Sequence, residues 1–221
     1  MPLIHRENIE NGEIGLWKVS ESIDDLLLLG RFTEPDLKVF GTITALHRKK
    51  EWLATRILLN ELIGTQKRIG YHNDGRPFII NSHINISISH TGIYVSVFLH
   101  SDAIPGIDIE LVTRQVGRVA QRFLSPEELN SCSDGEGYSN WKLLMHWCAK
   151  EAIFKMIPLT DIEFATDIHI NYSGSISETG TLQGTFKYKT GSTPITLYYR
   201  IHDELLIVWG WLEKEKLDFF K

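Results

Sequence analysis

In the run GIDIE, residues 106–110, acidic and apolar side chains alternate. Read as β-structure, with its period of two, Asp108 and Glu110 share one face and Ile107 and Ile109 the other. Taken alone, this is also the pattern of an edge strand with one solvated side. Further along, WCAKEAIFK (residues 147–155) spaces Trp147, Glu151 and Lys155 four apart, so all three lie along one helix face. A Glu four residues ahead of a Lys is also a common intrahelical ion pair, but Trp147 is an unusual choice for an exposed stripe. If that face meets the charged side of GIDIE, Asp108, Glu110 and Glu151 form a cluster of carboxylates that is costly without a cation. Hard oxygen ligands with room left for water and phosphate oxygens suit Mg²⁺ better than zinc. The chain also supplies phosphate-binding candidates in Arg48, Arg56, Arg76, Ser89, His90 and Lys155. Guanidinium forks match phosphate oxygens at two points, and an imidazolium or lysine neutralises a bridging diphosphate. Alone, His90 reads as a surface or capping histidine at a strand end; the conjunction of metal ligands with phosphate donors sharpens the functional reading.

These residues need elements to hold them. Residues 36–63 have helical character, with Leu46, Leu53, Ile57, Leu58 and Leu59 at helix spacing and Gly64 as the stop. Asn73–Pro77 reads as a turn. In INISISHTGIYVSVFL, Ile84, Ile86 and Ile88 share a face, Thr91-Gly92 reverses the chain, and residues 93–99 return as a strand. A third strand ends in GIDIE. Residues 114–122 and 139–156 read as helices, the second ended by Pro158, and strands follow around 168–170, 185–188, 195–201 and 205–211. Helices first and then an antiparallel meander, twice over, predict an α+β fold of two similar halves, residues 1–104 and 105–221.

Composition bounds the function. The 221 residues are 43% hydrophobic, enough for one large or two small globular domains. Cys132 and Cys148 make neither a CxxC nor a zinc spacing, and read as reduced thiols of a cytoplasmic protein. The start MPLIHRENIENGEIG is polar and charged where a signal peptide needs an unbroken apolar run, and no later apolar run approaches roughly 18 residues, so neither a secretory signal nor a membrane partner is expected. A net charge of −5 argues against broad binding to nucleic acid.

The ordered set ATR (54–56), GRP (75–77), SISHT (87–91), GIDIE (106–110), RFLSPEE (122–128) and WCAKEAIFK (147–155) resembles the 4′-phosphopantetheinyl transferases, specifically the long, surfactin-synthetase-activating (Sfp-like) type. Each member of the set is unspecific; the ordered set is not. The resemblance implies a pseudo-dimer of two α+β halves with the active site in the cleft between them. It implies a monomer with internal pseudo-twofold symmetry, coenzyme A as donor and an apo acyl or peptidyl carrier protein as acceptor. Asp108, Glu110 and Glu151 would be the Mg²⁺ ligands. Glu151 would also help deprotonate the attacking serine, and Lys155 would stabilise or protonate the leaving phosphate. Arg56 and Arg76 match the basic positions near the 3′-phosphoadenosine end, Ser89 and His90 the pair at the phosphates, and Arg48 a more variable basic position. Ser87 stands where many members have Asn, and Thr91 where they often have Ser. Arg114, Arg118 and Arg122, four apart, are expected to form a basic stripe for an acidic carrier helix. Two other readings stand beside this one: a metal-dependent phosphodiesterase or nuclease, against which the net charge and the lack of a stacking surface count, and a non-catalytic coenzyme A-binding module.

Overall fold

The computed structural model describes residues 3–134, 137–172, 174, 177–189 and 191–216. The chain divides into two compact units, Met1–Asp102 and Ala103–Lys221. Both are mixed α+β, with antiparallel sheets and helices.

The first unit opens with a hairpin, β1 (Leu3–Ile9) and β2 (Gly12–Lys18), across a stretch read above only as polar. Three helices follow, α1 (Ile23–Leu29), α2 (Glu34–Thr42) and α3 (Leu46–Ile63), then β3 (Ile69–Tyr71), β4 (Pro77–Ile79), β5 (Asn85–Thr91) and β6 (Tyr94–His100). The helix expected over residues 36–63 is therefore two. Its break at 43–45 follows Gly41 and falls in the β-branched run Thr42-Ile43-Thr44, where the Thr42 hydroxyl donates to the Val39 carbonyl at 2.7 Å. The predicted stop holds, since Gly64 takes the left-handed conformation (φ 74°) and its N–H reaches the Asn60 carbonyl. The 73–77 turn closes β3 against β4 with Gly75 at φ 84°, and Gly92 (φ 56°) closes β5 against β6. The main sheet has the order β1-β2-β6-β5, and α3 packs on it. Leu53, Leu58 and Leu59 of α3 are fully buried in one core with Trp17, Ile86, Val95 and Val97.

The second unit starts with β7 (Ile104–Leu111), followed by a 3₁₀ turn (Gly117–Val119), α4 (Ala120–Phe123), α5 (Pro126–Ser131), α6 (Asn140–Met156), α7 (Phe164–Asp167), β8 (Ile168–Asn171), β9 (Thr179–Tyr188), β10 (Gly191–His202) and β11 (Leu205–Leu212). The sheet order is β7-β11-β10-β9-β8. The strand that ends in GIDIE is thus no third strand of the preceding meander; it pairs with the last strand of its own unit, Asp108 opposite Val208 and Glu110 opposite Leu206. In the first unit β2 likewise pairs with the last strand, β6. Strands precede the helices in both units, which corrects the order of helices first and meander second.

The helix expected over residues 114–122 is also overturned. Val112, Thr113 and Val116 disfavour a helix and Gly117 interrupts it, leaving a turn, a 3₁₀ turn and the single helical turn α4. Arg114, Arg118 and Arg122 consequently lie in three different pieces of backbone and form no stripe on one helix face.

What brings α6 onto β7 is a glycine. A Cβ on Gly106 would lie 2.0 Å from the Ala152 carbonyl oxygen and 2.7 Å from Met156, so only a hydrogen lets the helix backbone come this close. The even-numbered residues of β7 therefore look at α6, and Asp108 and Glu110 follow Gly106 on that side.

Candidate active site

Asp108 and Glu110 are 5% and 4% exposed. The face that alone would read as the solvated side of an edge strand is instead covered by α6. Lys155 donates to Asp108 Oδ1 and to the Ile107 carbonyl, both at 2.8 Å. Trp147 Nε1 donates to Glu110 Oε1 at 3.3 Å, and the same oxygen accepts from the Arg114 guanidinium. Arg114 also lies over the Trp147 ring, 5.4 Å from its centroid. The three residues spaced by four on α6 thus face β7.

Glu151 completes this group. Burial, and next the charge of Asp108, push its carboxyl above the usual carboxylate range, with Lys155 and Arg114 pulling the other way. Cys148 beside it is pushed well up, by burial first and then by Asp108. Among the described residues no three His, Cys, Asp or Glu side chains converge closely enough to hold a metal ion. The chemistry of the donor set is nonetheless that of a hard divalent cation: the groups are carboxylates, and the two buried ones on β7, Asp108 and Glu110, already take two intramolecular cations, Lys155 and Arg114.

The helix that carries Glu151 and Lys155 is anchored from another side by a pair the sequence reading did not single out. Lys150, fully buried, donates to Glu128 Oε2 and to the Phe164 carbonyl, each at 2.7 Å. Glu128 closes a capping box with Ser125 at the start of α5 and accepts the Ile170 N–H at 2.8 Å. The pair joins RFLSPEE to WCAKEAIFK, and the available signal was the charges given no role above, Lys150 in the second motif and the acids Glu127 and Glu128 in the first.

The first unit gathers part of the phosphate-binding set. Arg48 Nη1 donates to Glu51 Oε2 and to His90 Nε2, both at 3.0 Å, and His90 Nδ1 lies 3.7 Å from Glu51 Oε1. With Nε2 accepting, the imidazole proton is assigned to Nδ1, on the Glu51 side. Glu51 was missed, although its place three residues after Arg48 on a helix was the available clue. Ser89 is buried one residue before His90. Arg76 pairs with Asp74 at 2.7 Å across its own turn. Arg56 is only 4% exposed; it stacks on Trp52 with 3.5 Å to the ring centroid and donates to the Trp52 carbonyl. Burial draws its guanidinium pKa down, against the pull of Tyr71.

A comparison with protein families points to the same part of the chain. Residues 105–197 match the 4′-phosphopantetheinyl transferase superfamily. The matched segment runs from Pro105 in β7 to Leu197 in β10, under half of the chain, and contains Asp108, Glu110, Trp147, Glu151 and Lys155. It supports a transferase acting in phosphopantetheinyl transfer; enzymes of this superfamily use coenzyme A as donor, act on carrier proteins and typically employ a divalent metal. No curated protein sequence matches the chain significantly. No described helix is long and apolar enough to cross a membrane.

Proposed function

We propose that the protein transfers the 4′-phosphopantetheine arm of coenzyme A to a serine hydroxyl of an apo acyl or peptidyl carrier protein, as an enzyme of the long, Sfp-like type. The observation that carries this reading is that the family match falls on the segment in which two buried carboxylates of β7 meet the Glu151 and Lys155 helix. The serine oxygen forms a bond to the phosphorus that bears the pantetheine arm. The bond from that phosphorus to the bridging oxygen breaks, and adenosine 3′,5′-bisphosphate leaves with the electron pair. Glu151 takes the serine proton, directly or through a water. Lys155, held by Asp108 and the Ile107 carbonyl, offers positive charge to the departing phosphate.

Asp108, Glu110 and Glu151 would hold Mg²⁺, which would supply charge neutralisation of the diphosphate. Arg48, Ser89 and His90 are assigned to the phosphates of coenzyme A, supported by the Arg48–Glu51–His90 contacts that fix the imidazole. Arg76 and Arg56 are assigned to the 3′-phosphoadenosine end. For Arg56, buried against Trp52, the packing role is as prominent as the charge.

The test is intact mass spectrometry of apo carrier proteins incubated with the protein, coenzyme A and Mg²⁺. A mass gain equal to one phosphopantetheine on the acceptor serine, lost when that serine is replaced by alanine, is expected. No gain on acyl and peptidyl carriers alike rejects the proposal.

A further inference from the structure

The two cations at the acidic cluster differ in how they are held. Lys155 belongs to the same helix as Glu151, is 24% exposed and spends a second hydrogen bond on the Ile107 carbonyl. Arg114 comes from the turn after β7 and lies outside the sequence motifs. Its side chain is 44% exposed, yet it ends on a carboxylate that is only 6% exposed.

The backbone directs it there. The Arg114 N–H donates to the Leu111 carbonyl at 2.9 Å, and Asn140 Nδ2 donates to the Arg114 carbonyl at 2.9 Å. Asn140 Oδ1 in turn accepts the Val116 N–H at 3.4 Å. Asn140 is the first residue of α6, so the helix that supplies Glu151 also fastens the turn that supplies Arg114. The guanidinium then crosses the Trp147 ring and shares Glu110 Oε1 with the Trp147 N–H.

We propose that Arg114 is a latch on Glu110: a positioning residue that supplies the counter-charge of this carboxylate when no metal is bound, and competes with Mg²⁺ for it. The inference rests on the metal reading given above. A carboxylate this buried needs a cation nearby. Arg114 meets the need from a half-exposed position, so a divalent ion can displace it into water at small cost. Lys155, more buried and tied to a backbone carbonyl, has no such retreat. Arg114 therefore sets the metal affinity of the site.

The experiment is calorimetric titration of Mg²⁺ into the full metal-stripped chain, for wild type, Arg114→Met and Arg114→Lys, with thermal melts at zero and saturating Mg²⁺. The latch predicts that Arg114→Met binds Mg²⁺ about three- to tenfold more tightly. It also predicts a lower metal-free melting temperature for that variant, and hence a larger rise on adding Mg²⁺. Arg114→Lys, which keeps the charge but loses the planar fork and its stacking, falls between; should Arg114→Met fail to fold, this variant must still move in the same directions. Equal affinity in all three proteins overturns the latch while leaving the metal reading in place. Tighter binding with an unchanged metal-free melt overturns it too, because it reveals only a long-range field. A wild type that binds no Mg²⁺ removes the metal reading and the latch together.

Discussion

Glu151 stands apart from the two acids it joins. Asp108 and Glu110 each have a cation at hydrogen-bonding distance, whereas Glu151 feels Lys155 and Arg114 only as neighbouring charges and is pushed up by burial and by Asp108. Asp108 and Glu110 are thus suited to hold positive charge, and Glu151 to accept a proton. Glu151→Gln keeps the volume and removes the proposed base, and is expected to lower kcat by about 10²-fold or more. Its urea midpoint is expected to stay at or above that of wild type, because a buried like charge is relieved. Steady-state assays on the carrier protein and a urea titration of the same preparation check both halves. Near-wild-type turnover would give the proton to another group.

At the scale of elements, the cluster depends on how α6 is rotated and how close it lies to β7. Rotation is set by the Lys150–Glu128 pair, which ties the helix to α5, to the start of α7 and, through the Ile170 N–H, to β8. Burial draws the Lys150 ammonium pKa down while Glu128 draws it back. Removing one partner strands the other charge: Lys150→Met leaves a buried carboxylate whose backbone donors remain but whose cation is gone. We expect a loss of about 3–5 kcal/mol in unfolding free energy, read from urea denaturation. A loss below about 1 kcal/mol would mean the pair behaves as a solvated one. Closeness is set by Gly106, where a methyl group would meet the Ala152 carbonyl. The glycine of GIDIE thus works in the packing that buries the two acids beside it.

For the whole molecule, stability is tied to pH through a buried histidine. His146 is fully buried on α6, donates from Nδ1 to the Lys142 carbonyl at 2.8 Å and lies 3.6 Å from the Cys132 sulfur. Burial is the largest influence on it and moves its pKa below the ordinary 6.5. The folded chain therefore keeps His146 neutral where the unfolded chain has already taken up a proton. Stability falls as pH drops below the ordinary histidine value, by at most about 1.4 kcal/mol per pH unit from this group. His146→Gln cannot titrate, so its stability should depend less on pH between about 6.5 and 5 than that of wild type. Urea midpoints at several pH values test this, and parallel curves for the two proteins would assign the acid sensitivity to other groups.

Sequence by itself determined the parts of this protein that are periodic or local. Spacing by two placed Asp108 and Glu110 on one face of a strand, and spacing by four placed Trp147, Glu151 and Lys155 on one face of a helix. Gly64, Gly75 and Gly92 marked turns because only certain residues accept a positive φ. Where backbone choices are nearly balanced, local reading failed: the β-branched run after Gly41 splits one expected helix, and the stretch from Arg114 to Arg122 forms short turns. The tertiary structure alone decided which partners those faces meet. Asp108 and Lys155 are 47 residues apart, and Lys150 and Glu128 are 22 apart. No propensity encodes such pairs; they form because burying apolar surface draws α6 onto β7, and the charges carried inside must then find each other.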